Sequence, residues 1–188
     1  MANFTCHARI WLPTAGVGKA YLKGNEHGHY DLRIDNNGSN LSFDGHTFTN
    51  PVFSYSGYDY NNQNVGAVTL YSSAETNHYI TGHGRLYHAT FTADSDLVRE
   101  FIDWLKGYLG TSFEINDTHG FIYRVTSGPF AYYDFDDSNC FAALAAWCNK
   151  LGYRVLQNIY DSSSSCEDYF AWRMFERYGH AWTLIDEK

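Results

Sequence analysis

Apolar and polar positions follow two different periods along this chain. Up to about residue 91 they alternate with a period of two, which predicts strands. Phe4 to Leu12 is a predicted strand ended by Pro13, followed by a loop at Thr14 to Gly18. Tyr30, Leu32 and Ile34 fall on one side of a second strand, with Asp31 and Arg33 on the other. Leu41 to Asp44, Val65 to Tyr71 and Arg85 to Phe91 are further strand candidates, and the Tyr-, Ser-, Gly- and Asn-rich stretch 55–64 reads as a loop. Asn37-Gly38 is a strong two-residue hairpin signal. It predicts a register in which Leu32 faces Phe43, Ile34 faces Leu41 and His29 faces His46.

The helical period then takes over. Asp94-Ser95-Asp96 caps a helix to about Leu109, with Leu97, Val98, Phe101, Trp104, Leu105 and Tyr108 as its apolar stripe and Gly110 as its stop. Short strands are predicted at Phe121 to Val125 and Phe130 to Phe135. A second helix runs from about Ser138 to Leu151, capped by Asp136-Asp137-Ser138 and stopped by Gly152. A strand over Tyr153 to Ile159, a third helix over Cys166 to Tyr178 and a strand over Ala181 to Ile185 complete the pattern. Strands first and helices later make the expected class α+β.

The chain has 188 residues, enough for one domain, 1–188, with a sizeable core. A net charge of −8 argues against nucleic acid or an anionic membrane as partner, since both reward a basic face. No apolar run is long enough to span a bilayer. The start, Met1-Ala2-Asn3-Phe4-Thr5-Cys6-His7, lacks the pattern of a secretory signal. Cys6, Cys140, Cys148 and Cys166 form no C-x-x-C and no zinc-like cluster, so reduced thiols of a protein made in the cytoplasm are the plain expectation.

Cys140 is the residue with most chemical promise. It stands at the start of the second helix, where unpaired backbone N–H groups and the helix dipole favour a thiolate. Asp134, Asp136 and Asp137 push the other way, so a base is needed. Cys148 falls on the stripe Phe141, Leu144, Ala145, Cys148, Leu151 and reads as a core thiol; Cys166 also begins a predicted helix. Nine histidines are available: His7, His27, His29, His46, His78, His83, His88, His119 and His180. The hairpin register puts His29 beside His46, so that one could orient the other. The same positions also suit the solvent face of an ordinary hairpin. His180, 40 residues after Cys140, is the rival base, in the order used by papain-like and transglutaminase-like enzymes, with only Asp186 or Glu187 left as an acidic third member.

Ala8-Arg9-Ile10-Trp11-Leu12-Pro13, Gly28-His29-Tyr30-Asp31-Leu32-Arg33-Ile34 and Leu41-Ser42-Phe43, followed much later by Asn139-Cys140 after Ala131-Tyr132-Tyr133, resemble circularly permuted papain-like cysteine hydrolases. These are the NlpC-type and lecithin retinol acyltransferase-like proteins. The resemblance implies an antiparallel sheet packed against a helix carrying the nucleophile, with Cys140 as that nucleophile and His29 as base. His46, or Asp44, would be the third member. It implies no metal or organic cofactor. Bacterial members include peptidoglycan amidases and type VI secretion effectors, exported without a signal peptide. A peptide or peptidoglycan substrate and an immunity protein would then be the partners. Residues 49–85 carry none of the resemblance.

Other functions fit the same residues. The same Cys140 nucleophile acting on proteins or lipids would suit a deamidase, a transglutaminase-like enzyme or an acyltransferase, and a His180 base would favour the transglutaminase-like one. The aromatic and polar stretch 55–64 would suit a non-enzymatic module binding carbohydrate or protein, in which case Cys140 should be buried and inert.

Overall fold

Residue-by-residue alternation in the strands separates an apolar face, covered by two helices, from a face carrying charged and polar groups. The computed structural model describes residues 3–13, 29–36, 40–73, 83–115, 120–134, 138–153 and 183–187. Ten strands and two helices lie within them. The strands are β1 (Asn3–Pro13), β2 (His29–Asp35), β3 (Asn40–Phe43), β4 (His46–Thr49), β5 (Pro51–Tyr60), β6 (Gln63–Ser72), β7 (His83–Asp94), β8 (Leu109–Ile115), β9 (Phe121–Val125) and β10 (Thr183–Glu187). The helices are α1 (Ser95–Lys106) and α2 (Cys140–Lys150). Eight strands form one sheet in the order β10-β7-β1-β2-β5-β6-β9-β8, and β3 and β4 form a separate pair. Every pairing is antiparallel. The fold is therefore α+β, as the order of periodicities predicts. Neither described helix is long and apolar enough to cross a membrane.

Cys6, Ala8, Tyr30, Leu32, Ile34, Phe53 and Tyr55 point toward the helices and are buried. Phe53 meets Phe101 of α1 at 5.5 Å and Trp147 of α2 at 6.4 Å between ring centroids, and Tyr30 meets Phe141 at 4.9 Å. These edge-to-face contacts join both helices to the middle of the sheet. Helix α1 is capped as expected: Asp94 Oδ1 accepts the Leu97 N–H at 2.8 Å. It stops at Gly107, short of the predicted Leu109, because Leu109 already begins β8. Helix α2 starts two residues later than predicted. Its cap is Asn139, whose Oδ1 accepts the Ala142 N–H at 2.9 Å, and Cys140 is its first residue.

Three local expectations fail. Strand β2 does not pair with β3; it lies between β1 and β5, with Leu32 opposite Ala8 and Phe53. A period of two fixes which side chains share a face but not which strand lies alongside. Strand β2 is buried along most of its length and takes a neighbour on each side. The β3 hairpin instead closes with β4 around Asp44 and Gly45, at φ 52° and 77°, the left-handed pair a tight turn demands. Phe43 thus faces His46. Asn37-Gly38 lies outside the described residues. Second, 55–64 is no loop: β5 and β6 pair up to Tyr60–Gln63 around Asn61 and Asn62, at φ 53° and 63°. Third, 130–134 is irregular: its strand-like pairing among the described residues is limited to the isolated bridges Val65–Tyr132 and Asp134–Ser138. Strands β4 and β8 had no distinct signal in the sequence. Nearly all of the Tyr153 to Ile159 strand and the whole Cys166 to Tyr178 helix fall outside the described residues.

Segment 130–134 sits on the β5–β6 hairpin where two glycines face each other, Gly57 opposite Gly66. A Cβ on Gly66 would lie 1.9 Å from the Phe130 carbonyl oxygen and 2.4 Å from the Tyr55 hydroxyl. Gly66→Ala should therefore lower stability by about 1–3 kcal/mol, read as a shift in the urea midpoint. A midpoint unchanged from wild type would mean the segment is not seated there.

Candidate functional site

Across β7, β1, β2, β5 and β6, five directly opposed residues are polar and buried: His88, Arg9, Asp31, Ser54 and Thr69. They form a row on the sheet face opposite the apolar core. Arg9 and Asp31 make a two-pronged ion pair, Nε to Oδ1 at 2.5 Å and Nη2 to Oδ2 at 2.8 Å. His29 lies two residues before Asp31 on the same face. Its Nε2 meets Ser54 Oγ at 2.7 Å. Burial holds the His29 pKa below the ordinary imidazole value; the Asp31 charge opposes this and Arg9 adds to it. His29 is thus a neutral imidazole whose ring is fixed by a hydroxyl on the neighbouring strand.

Cys140 is half-buried at the first turn of α2, which packs against β2. Burial pushes its thiol up to about 11, and the backbone N–H groups of Tyr30, Phe141 and Cys140 itself pull the other way, with Asp31 adding to the rise. The sulfur therefore lies against the backbone of Tyr30, the residue after His29. Cys140 and His29 lie at the same end of β2, Cys140 over the Tyr30 backbone on the helix-covered side and His29 on the side it shares with Asp31. Just before the cysteine, Ser138 Oγ donates to the Tyr132 carbonyl at 2.7 Å, and Tyr55 OH approaches both Ser138 Oγ and the Phe130 carbonyl at 3.0 Å. These bonds fix the chain that enters α2.

The other expected site residues lie elsewhere. His46 is on β4, its ring stacked on Phe121 at 3.9 Å, and the cross-strand pair with His29 does not form because β2 and β3 are not neighbours. Asp44 is in the β3–β4 turn, beside the Tyr123 hydroxyl. Cys148 is fully buried in the core, as its stripe predicts. His180 and Cys166 fall outside the described residues. Among the described residues no three His, Cys, Asp or Glu side chains gather as a metal site would require. The sequence reading missed Arg9 and Ser54 as site neighbours. The polar alternation Thr5, His7, Arg9 in an otherwise apolar strand was the available signal for Arg9; Ser54 gave none.

The histidine at the other end of the row has a partner of its own kind. His88 Nδ1 lies 3.1 Å from His7 Nδ1, and His7 Nε2 lies 2.9 Å from Asp35 Oδ2. Burial, then the Arg9 and His7 charges, lower the His88 pKa to about 4. A histidine depressed in the folded state is stabilising while neutral. That stability is lost as pH falls from the unfolded value near 6.5 toward the folded one. Between pH 7.5 and 4.5 His88 should cost the fold about 2.5 kcal/mol, with His7 and His29 acting in the same direction. Urea unfolding at the two pH values checks this. His88→Gln should lose about 2.5 kcal/mol less over that interval, and an equal loss would remove His88 as the cause.

No protein-family profile matches the sequence, and no curated protein matches it significantly. The fold is shared with the crystal structure of a type VI secretion system effector, TseH, at 14% sequence identity and a TM-score of 0.52, with 98% of each chain covered.

Proposed function

We propose that this chain is a cysteine hydrolase of amide bonds with a permuted papain-like arrangement, acting as a type VI secretion effector on the peptide stems of peptidoglycan. The observation that carries the reading is the placement of Cys140. It opens a helix, its sulfur lies against the backbone of the residue following His29, and His29 precedes it in the chain. The fold shared with a type VI effector supports the secreted role. An immunity protein protecting the producing cell belongs to the same reading.

In this mechanism His29 acts as a general base on a neutral thiol rather than as one half of a preformed ion pair. As the sulfur attacks the carbonyl carbon, the thiol proton passes to His29, the residue before the Tyr30 backbone that the sulfur touches. The negative oxygen that develops is met by backbone N–H groups at the start of α2, which already face the sulfur. The imidazolium is supported by Asp31 and held in place by Ser54. It returns its proton to the leaving amine, and water, deprotonated by the same ring, releases the acyl group from sulfur. Ser54 thus takes the positioning role first expected of His46.

Incubation of the protein with purified peptidoglycan, followed by mass spectrometry of the soluble fragments, tests the reading. New free amino and carboxyl termini within the stem peptides are expected. If Cys140 is reactive but every stem stays intact, the nucleophile serves another acyl group and the peptidoglycan assignment fails.

A further inference from the structure

The helix-covered side of the sheet contains a cavity of about 170 Å³ between α1, α2, β8 and the segment 127–130. Five rings, Tyr55, Trp104, Tyr108, Phe130 and Trp147, line it together with aliphatic side chains of both helices and the sheet. None of the described residues lining it is charged. A pocket of this size forgoes packing that a core would otherwise gain, and its apolar, ring-rich lining points to a use. A comparable apolar cavity of about 150 Å³ takes up benzene.

The mouth is also held in shape. Ser127, Gly128 and Pro129 are exposed at its rim. Gly128, at φ 78°, lies so close to Tyr108 that a Cβ there would come within 2.9 Å of the ring. Tyr55, part of the wall, fixes the rim segment through the Phe130 and Tyr132 carbonyls, each at 3.0 Å. Ser138 Oγ, which donates to the Tyr132 carbonyl, also lies 3.1 Å from the Pro129 carbonyl. The pocket is therefore preformed, so a ligand need not order the rim as it binds.

We propose that this cavity is a binding site for a small, uncharged aromatic or branched aliphatic group. The volume sets the size, the rings set the chemistry, and the uncharged lining excludes a charged head. This proposal does not depend on Cys140 being a nucleophile. The site is on the far side of α2's first turns: Ala146, which lines it, is six residues beyond Cys140, about 9 Å along the helix.

Fluorobenzene is the probe, followed by ¹⁹F NMR and by two-dimensional amide NMR, with 4-fluorobenzoate as the charged counterpart. Saturable binding of fluorobenzene is expected, with amide shifts centred on Leu105, Ser127 and Ala146, and binding at least about tenfold weaker for 4-fluorobenzoate. Ala146→Phe fills the cavity from α2 and should abolish binding while the circular dichroism stays native. Ala146→Leu, a smaller filling, should weaken it if the larger side chain unfolds the protein. The proposal is overturned if fluorobenzene does not saturate, if the shifts map elsewhere, or if a folded Ala146 variant binds as tightly as wild type.

Discussion

Cys140→Ala is expected to reduce amide hydrolysis by about a thousandfold or more, because no other described thiol can replace it. Cys6 and Cys148 are fully buried in the core. The substitution should leave the fold almost untouched. Alanine is the best helix former, and the cap belongs to Asn139, whose bond to Ala142 does not involve the Cys140 side chain. A stability change within about 1 kcal/mol is expected by urea unfolding. Cys140→Ser should also be nearly inactive, since a hydroxyl is far harder to ionise than a thiol in a site that already raises the thiol to about 11. Residual activity near the wild-type level in folded Cys140→Ala would remove the cysteine from the chemistry.

Asp31→Ala should be the most damaging single change to stability, at about 3–5 kcal/mol. Its carboxylate has no solvent exposure and its partner Arg9 has 8%. Removing the acid leaves a guanidinium buried in the middle of the sheet with its main counter-charge gone. Replacing both, as Arg9→Met with Asp31→Leu, should recover most of the loss, since buried ion pairs and apolar pairs of similar volume are nearly equivalent. The two single variants and the double one form a cycle whose coupling energy measures the pair. A loss below about 1 kcal/mol for Asp31→Ala would show that the pair is not buried as described. The same cycle bears on the site, because Asp31 supplies the charge that supports a protonated His29.

The sequence made some features plain and concealed others for definite reasons. Helix α2 was legible because the apolar run Phe141 to Leu144 follows a polar cluster and Gly152 ends it, which placed Cys140 at a helix start. Its exact cap was not, since Asp137, Ser138 and Asn139 are all good capping residues. The faces of β2 were legible from Tyr30, Leu32 and Ile34. Its neighbours were not, because the same alternation fits any partner with apolar residues in step, and β3 offered such a partner. The β5–β6 hairpin was hidden by its own composition. Ser54, Ser56 and Gly57 look like loop residues, yet Gly57 is small because the Tyr133 ring lies over it, and Ser54 is polar because it faces His29. Residues selected for a close approach or a hydrogen bond lose the pattern that would identify their strand.

The most direct test of the Cys140–His29 assignment is the rate of Cys140 alkylation against pH, followed by peptide-resolved mass spectrometry in wild type, His29→Ala and His180→Ala. Buried Cys6 and Cys148 serve as internal references. Wild type should label readily at neutral pH. His29→Ala should label at least about tenfold more slowly there, because the ring no longer takes the thiol proton as the sulfur attacks. His180→Ala should behave like wild type. Identical profiles for wild type and folded His29→Ala would contradict the assignment, and a collapse in His180→Ala alone would give the base to that residue instead.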